Sequence, residues 1–199
     1  MENIEYKEFP FYFDIGDYIY YITNDSYGLH PRIMKCMVTG IGIPRTTTRQ
    51  PVEPTYHVKS VGEDEEDEDY TANIKYRTSK GKIFLSREEA LDFIKNPGRE
   101  PEEMTCKRKI SLPLPGQRVL LLVNGRRMQF TISRIRMDCE WKPLMELARN
   151  LSEREEKEYH KNPDYSIPYQ TLHITEQEFN QGYVSRPKLD KQKNKEHCP

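Results

Sequence analysis

Apolar and polar positions along this chain fall into short runs of β-strand character, and three of these runs recur in the same order. Ile15-Gly16-Asp17-Tyr18-Ile19-Tyr20-Tyr21-Ile22 corresponds to Pro115-Gly116-Gln117-Arg118-Val119-Leu120-Leu121-Leu122, and Val38-Thr39-Gly40-Ile41 corresponds to Ile132-Ser133-Arg134-Ile135. Ile83-Phe84-Leu85-Ser86-Arg87-Glu88-Glu89-Ala90 then matches Leu172-His173-Ile174-Thr175-Glu176-Gln177-Glu178-Phe179 in polarity and capping chemistry. The repetition predicts two copies of one small β-rich module rather than one large enzyme core.

In the first copy, residues 18–22 are almost all β-branched or aromatic and follow an Ile-Gly-Asp turn, which predicts a strand. Residues 33–43 are its expected partner, with Met34, Cys36, Val38 and Gly40 on one face and Ile33, Lys35, Met37, Thr39 and Ile41 on the other. Residues 44–54 read as a loop, 55–61 as a returning strand, and 70–78 and 82–85 as short strands around the Ser79-Lys80-Gly81 turn. Ser86 with Glu89 three residues later predicts a capped helix over 87–95, which stops before Asn96-Pro97-Gly98.

Residues 99–109 read as a linker between a module at 1–98 and a second at 110–185. The second restarts with strands over 110–114, 118–124 and 127–138, the last two joined by an Asn124-Gly125 hairpin turn. Helical spacing of Leu144, Leu147, Ala148 and Leu151 predicts a helical insertion across 141–162, with Ser152 and Glu155 capping its 153–161 portion. Strand character returns over 165–174, Thr175 with Glu178 repeats the helix cap, and the polar, lysine-rich residues 186–199 read as a disordered tail.

Charge changes this picture locally. The whole chain is balanced, with 31 Lys and Arg against 32 Asp and Glu. Residues 1–99 carry about four more acidic than basic side chains and residues 100–199 about three more basic than acidic. A uniformly basic nucleic-acid surface is therefore not indicated. The N-terminal stretch lacks the pattern of a signal peptide and no run approaches a membrane span, so a cytoplasmic location is expected. Cys36, Cys106, Cys139 and Cys198 are scattered, which suits reduced thiols.

The Gly-Asp-aromatic strand, the strand after it and the closing Ile83-Phe84-Leu85-Ser86-Arg87-Glu88-Glu89-Ala90 resemble a group of short proteins common in phages and other mobile elements of Gram-positive anaerobes. The resemblance covers residues 14–94, and less closely 115–183, where Gln117 replaces the aspartate. It implies a small SH3-like or KOW-like barrel closed by a short helix, with no catalytic residues to carry over. The expected fold is thus mainly β (α+β): two tandem small SH3-like β-barrel modules, the second with a helical insertion.

His30, His57, His160, His173 and His197 show no metal-ligand spacing, and no nucleophile elbow or phosphate-binding glycine loop is present. No enzyme, metal or cofactor is expected. Glu63, Asp64, Glu65, Glu66, Asp67, Glu68 and Asp69 form an unbroken acidic run, read either as a solvated loop or as a mimic of a nucleic-acid backbone. Trp141 is read either as the anchor of the insertion or as the centre of an interface. Lys107, Arg108, Lys109, Arg118, Arg126, Arg127, Arg134 and Arg136 offer an alternative basic, nucleic-acid-binding face.

The leading expectation is a non-catalytic protein-binding protein that uses the acidic run supported by Trp141. For a mobile-element product this includes inhibition of a host defence enzyme that targets nucleic acid, such as a CRISPR effector. A nucleic-acid-binding double barrel is the alternative, and a small enzyme the third possibility.

Overall fold

The computed structural model describes residues 4–24, 30–45, 52–61, 70–77, 79–161 and 169–185. The chain is mainly β, with 50% strand and 15% helix. The N-terminal half contributes β1 (Tyr6–Phe11), β2 (Tyr18–Asn24), β3 (Pro31–Pro44), β4 (Thr55–Ser60), β5 (Thr71–Ile74), β6 (Ile83–Phe84) and α1 (Arg87–Lys95). The C-terminal half contributes β7 (Arg108–Pro113), β8 (Arg118–Val123), β9 (Arg126–Met137), β10 (Pro143–Arg149), α2 (Glu153–Lys161), β11 (Thr171–Thr175), α3 (Glu176–Gln181) and β12 (Tyr183–Val184).

Two long strands organise the sheet. β3 pairs with β2, and β9 pairs with β8, through their N-terminal portions. Their C-terminal ends pair with one another, Ile41 opposite Met137, Gly42 opposite Arg136 and Ile43 opposite Ile135. A single sheet therefore crosses both halves in the order β11-β10-β9-β3-β2-β6, while β1 and β7 form a separate antiparallel ladder. No closed barrel is found among the described residues.

The first two sequence correspondences have matching hydrogen bonds. Gly16 and Gly116 have φ of 96° and 99°, a region open to glycine because it has no Cβ. The Gly16 N–H donates to the Val38 carbonyl at 2.8 Å and the Gly116 N–H to the Ile132 carbonyl at 2.7 Å. Val38 and Ile132 donate back to the carbonyls of Asp17 and Gln117, at 2.9 and 3.0 Å.

The next residue in each long strand is a bulge. Pairing with β4 skips Thr39, and pairing with β10 skips Ser133. The two hydroxyls donate to partner-strand carbonyls, Thr39 Oγ1 to His57 at 3.2 Å and Ser133 Oγ to Glu146 at 2.8 Å. An extra residue reverses the alternation of faces. Met34, Cys36 and Val38 point inward, and beyond Thr39 the inward set becomes Ile41 and Ile43. Phe130 and Ile132 give way to Ile135 and Met137 in the same manner. Uninterrupted alternation, which places Ile41 on the face opposite Val38, is corrected by the Thr39 bulge.

The third correspondence occupies different slots. β11 pairs with β10 as β5 pairs with β4, whereas β6, its match in sequence, returns to pair with β2. In the C-terminal half the strand that returns is β12, which pairs with β8 after α3.

The helical insertion over 141–162 is also corrected. Residues 143–149 are strand β10, with Pro143, Met145 and Leu147 buried at period two, and among the described residues of this span only 153–161 are helical. The same segment satisfies both periodicities, and unpaired ladder groups on β9 and β11 select the strand. Strand β1 was not expected, although Phe9, Phe11 and Phe13 alternate and all are buried. Pro10 is tolerated because β1 has one ladder partner, β7.

One hydrophobic cluster runs through both halves, joining Phe9, Phe11 and Phe13 to Leu112, Phe130 and Met145. Each such buried side chain contributes roughly 1.5–3 kcal/mol. The Phe13 and Tyr56 rings meet edge to face with centroids 5.0 Å apart, and Tyr12 N–H donates to Tyr56 Oη at 2.9 Å.

Candidate functional site

The expected acidic site, Glu63 to Asp69, lies outside the described residues, in the connection from β4 to β5. Its flanks are ordered by pairing. Ser60 N–H donates to the Tyr70 carbonyl at 2.9 Å, and Tyr70 stacks on Tyr21 with centroids 6.5 Å apart. Burial raises the Tyr70 pKa, with Tyr21 and Cys36 adding to it and a hydrogen bond with Thr23 opposing. Tyr18 stands half exposed on the first half's outer sheet face, with the Lys35 ammonium 4.9 Å from its ring centroid.

The eight basic candidates do not come together as one platform. The β1–β7 ladder sets the start of β7 beside the turn before β2. Lys107 Nζ reaches Asp17 at 2.5 Å and Asp14 at 3.3 Å, and Arg108 Nη2 reaches Asp14 at 2.9 Å. Burial opposes the Lys107 charge, but hydrogen bonds to Asp17 and Asp14 outweigh it and raise its pKa. Lys109 Nζ lies 3.5 Å from Glu8. Arg136 pairs with Glu146 at 3.2 Å, and Arg134 lies against Gly42. Arg118, Arg126 and Arg127 are exposed, the first at one end of β8 and the other two beside the Asn124-Gly125 turn at its other end.

Trp141 is half-buried against the β1–β7 ladder. Its ring and that of Phe11 meet edge to face with centroids 5.1 Å apart, and the Arg108 guanidinium sits 4.0 Å from its centroid. Asp138 Oδ1 accepts from the N–H groups of Glu140 and Lys142, closing a turn that places Trp141 at φ 63°. Trp141 therefore fastens the β9–β10 connection to the β1–β7 ladder.

A cavity that sequence reasoning did not find lies between α1 and the segment after it. Ser86 Oγ accepts the Glu89 N–H and starts α1, and Phe93 on that helix meets Phe84 with centroids 5.3 Å apart. The return segment is tied down where Met104 N–H donates to Tyr76 Oη at 2.8 Å, where Arg99 bridges Asp92 and Glu102, and where Lys80 meets Glu103 at 3.2 Å. The pocket so formed is open to solvent and has a volume of about 240 Å³. Its apolar wall is Ile83, Phe84, Leu85, Phe93 and Met104, and its rim carries Glu89, Asp92, Glu100, Glu102 and Glu103. Leu85 is 58% exposed there. The available signal was the carboxylate density of 100–103, in a stretch whose composition reads as linker.

Among the described residues, no group of three or more His, Cys, Asp or Glu is arranged to hold a metal ion. Cys36 is buried, Cys106 half-buried and Cys139 exposed, and none of the three forms a disulfide. No helix among the described residues is long and apolar enough to cross a membrane. No family model matches this chain, and no curated protein or solved structure is found to be similar to it.

Proposed function

We propose that this chain is a non-catalytic binding protein that acts through protein–protein contacts in the cytoplasm. The observation that carries the reading is the division of charge. The cations at the start of β7 are paired with Asp14, Asp17 and Glu8 of the other half, while carboxylates rim an apolar cavity. A surface of that kind repels phosphate and favours a partner bearing basic and apolar side chains. The acidic run from Glu63 to Asp69 adds to the same sign of charge.

Each half is proposed to be an SH3-like module in the open sense of a strand meander whose last strand returns to its first. The path β2-β3-β4-β5 with β6 back on β2, and β8-β9-β10-β11 with β12 back on β8, supports this reading. Inhibition of a host enzyme that targets nucleic acid fits an acidic surface able to occupy a basic channel, and it rests on the resemblance to mobile-element proteins.

The test is affinity capture of tagged protein from host lysate, with and without nuclease, alongside a variant carrying Ser and Gly at 63–69. A stoichiometric protein that survives nuclease and is lost with the variant is the expected result. Recovery of nucleic acid instead would overturn the reading in favour of Arg118, Arg126 and Arg127.

A further inference from the structure

We infer that the cavity between α1 and residues 99–105 is a receptor for a basic peptide segment of a partner protein, one that inserts a single large apolar side chain. This rests on the protein-binding reading and names the chemistry of the partner.

Size argues for one side chain. Sites for drug-sized molecules commonly span roughly 300–1,000 Å³. The space here is about 240 Å³, enough for one aromatic or long aliphatic group. Its wall includes Phe84, Phe93 and Met104, and Leu85 extends it outward to solvent. Thioether and aromatic surfaces adapt well to an inserted ring.

Charge specifies the flanks of the insert. Asp92 and Glu102 are neutralised in part by Arg99, and Glu103 by Lys80. Glu89 and Glu100 carry no ion pair among the described residues, so the rim keeps an excess of negative charge. Lysine or arginine on either side of the inserted residue would meet it, and a phosphate backbone would be repelled. The rim is not a cation cage, since its carboxylates line an apolar opening and do not form a cluster able to hold a metal.

The shape is maintained without the partner. Gly81, at φ 85°, lets the preceding turn pass under the helix, where an added Cβ would lie 3.3 Å from Phe93 Cζ and 3.6 Å from Pro101 Cγ. The Met104 to Tyr76 hydrogen bond holds the opposite wall. A preformed site loses little order on binding.

The experiment is a 15N-labelled amide NMR titration of the full chain with a synthetic peptide of one tryptophan between two pairs of arginines. Control peptides replace the arginines by glutamates or the tryptophan by serine. Shifts concentrated at Phe84, Leu85, Phe93 and Met104 are expected. Affinity should fall roughly tenfold in a Leu85→Ser, Glu100→Lys variant, which alters two exposed side chains and leaves the fold intact. No shifts at millimolar peptide, shifts located elsewhere, or equal binding by the controls or the variant would overturn the inference. In the lysate capture, a wild-type chain that retains no protein defeats the protein-binding reading. A partner held equally by wild type and this variant defeats the peptide receptor alone.

Discussion

Gly42 and Arg136 face one another across the β3–β9 ladder, between the Ile41–Met137 and Ile43–Ile135 pairs. This pairing joins the halves into one sheet, and its closeness is set by glycine. A Cβ on Gly42 would lie 3.3 Å from the Ile135 carbonyl oxygen, a backbone atom that cannot turn aside. Gly42→Val should destabilise the chain by about 1–3 kcal/mol in urea unfolding, as overpacked sites do. Unchanged stability would mean that the strands have room to separate.

Trp141 should reverse the usual order of alanine and glycine. Removing its ring forfeits the contacts with Phe11 and Arg108, so both Trp141→Ala and Trp141→Gly lose stability. Its backbone sits at φ 63°, where an L side chain costs roughly 1–2 kcal/mol and glycine costs little. Thermal melts should find the glycine variant at least as stable as the alanine variant, and a clearly weaker glycine variant would contradict the role assigned to this turn.

Alkaline pH should act through Tyr56. Burial raises its phenol pKa far above the ordinary value, against the lowering effect of hydrogen bonds from Tyr12 and Phe13. The unfolded chain then ionises first, so this stabilisation is complete below about pH 10 and is lost as pH rises toward the folded value. Tyr56→Phe should flatten that loss in stability measured between neutral and alkaline pH. It should also cost about 1–3 kcal/mol at neutral pH, because the Tyr12 N–H loses its acceptor.

His57 should respond in the acid direction. Burial lowers its pKa, the charges of Arg134 and Arg136 lower it further, and a hydrogen bond with Asn73 opposes them. Its contribution is whole above about pH 6.5, the unfolded value, and disappears as pH falls through the folded value. Arg134→Gln should move the imidazole titration upward in proton NMR. A titration that does not move would show that Arg134 does not act on this ring.

Separated halves should not be independently stable. Residues 1–98 alone leave β1 without β7 and Phe11 without Trp141, and residues 110–185 alone leave the end of β9 without β3. Circular dichroism melts of each fragment should lack a sharp cooperative transition, while mixing the fragments restores one. A sharp melt from either fragment by itself would support the boundary read from composition at 99–109.

Local chemistry was readable wherever the deciding atoms lie close in sequence. Ser86 and Glu89 announced α1, Thr175 and Glu178 form the reciprocal cap of α3, and Asn124 and Gly125 make the expected hairpin turn with φ of 47° and 78°. The repeated Gly-turn and the three-residue spacings Val38 to Ile41 and Ile132 to Ile135 also carried structural meaning. That spacing is the trace of a bulge, which alternation alone does not reveal.

The positions that resisted reading are those whose partners are remote. Residues 143–149 fit a helix as well as a strand until β9 and β11 supply donors and acceptors on both sides. Lys107 and Arg108 read as a basic patch until the β1–β7 ladder brings Asp14 and Asp17 beside them. The cavity wall combines Phe84, Phe93 and Met104, which come together through the fold of a stretch that composition assigns to a linker.

Local sequence thus fixes the hairpin turn at Asn124-Gly125 and the helix caps at Ser86 and Thr175, because backbone preference and capping bonds act over a few residues. Tertiary structure decided which strands meet, which charges cancel and where a cavity opens. Those outcomes depend on side chains brought together across the chain, whose competition for the same partners no local window contains.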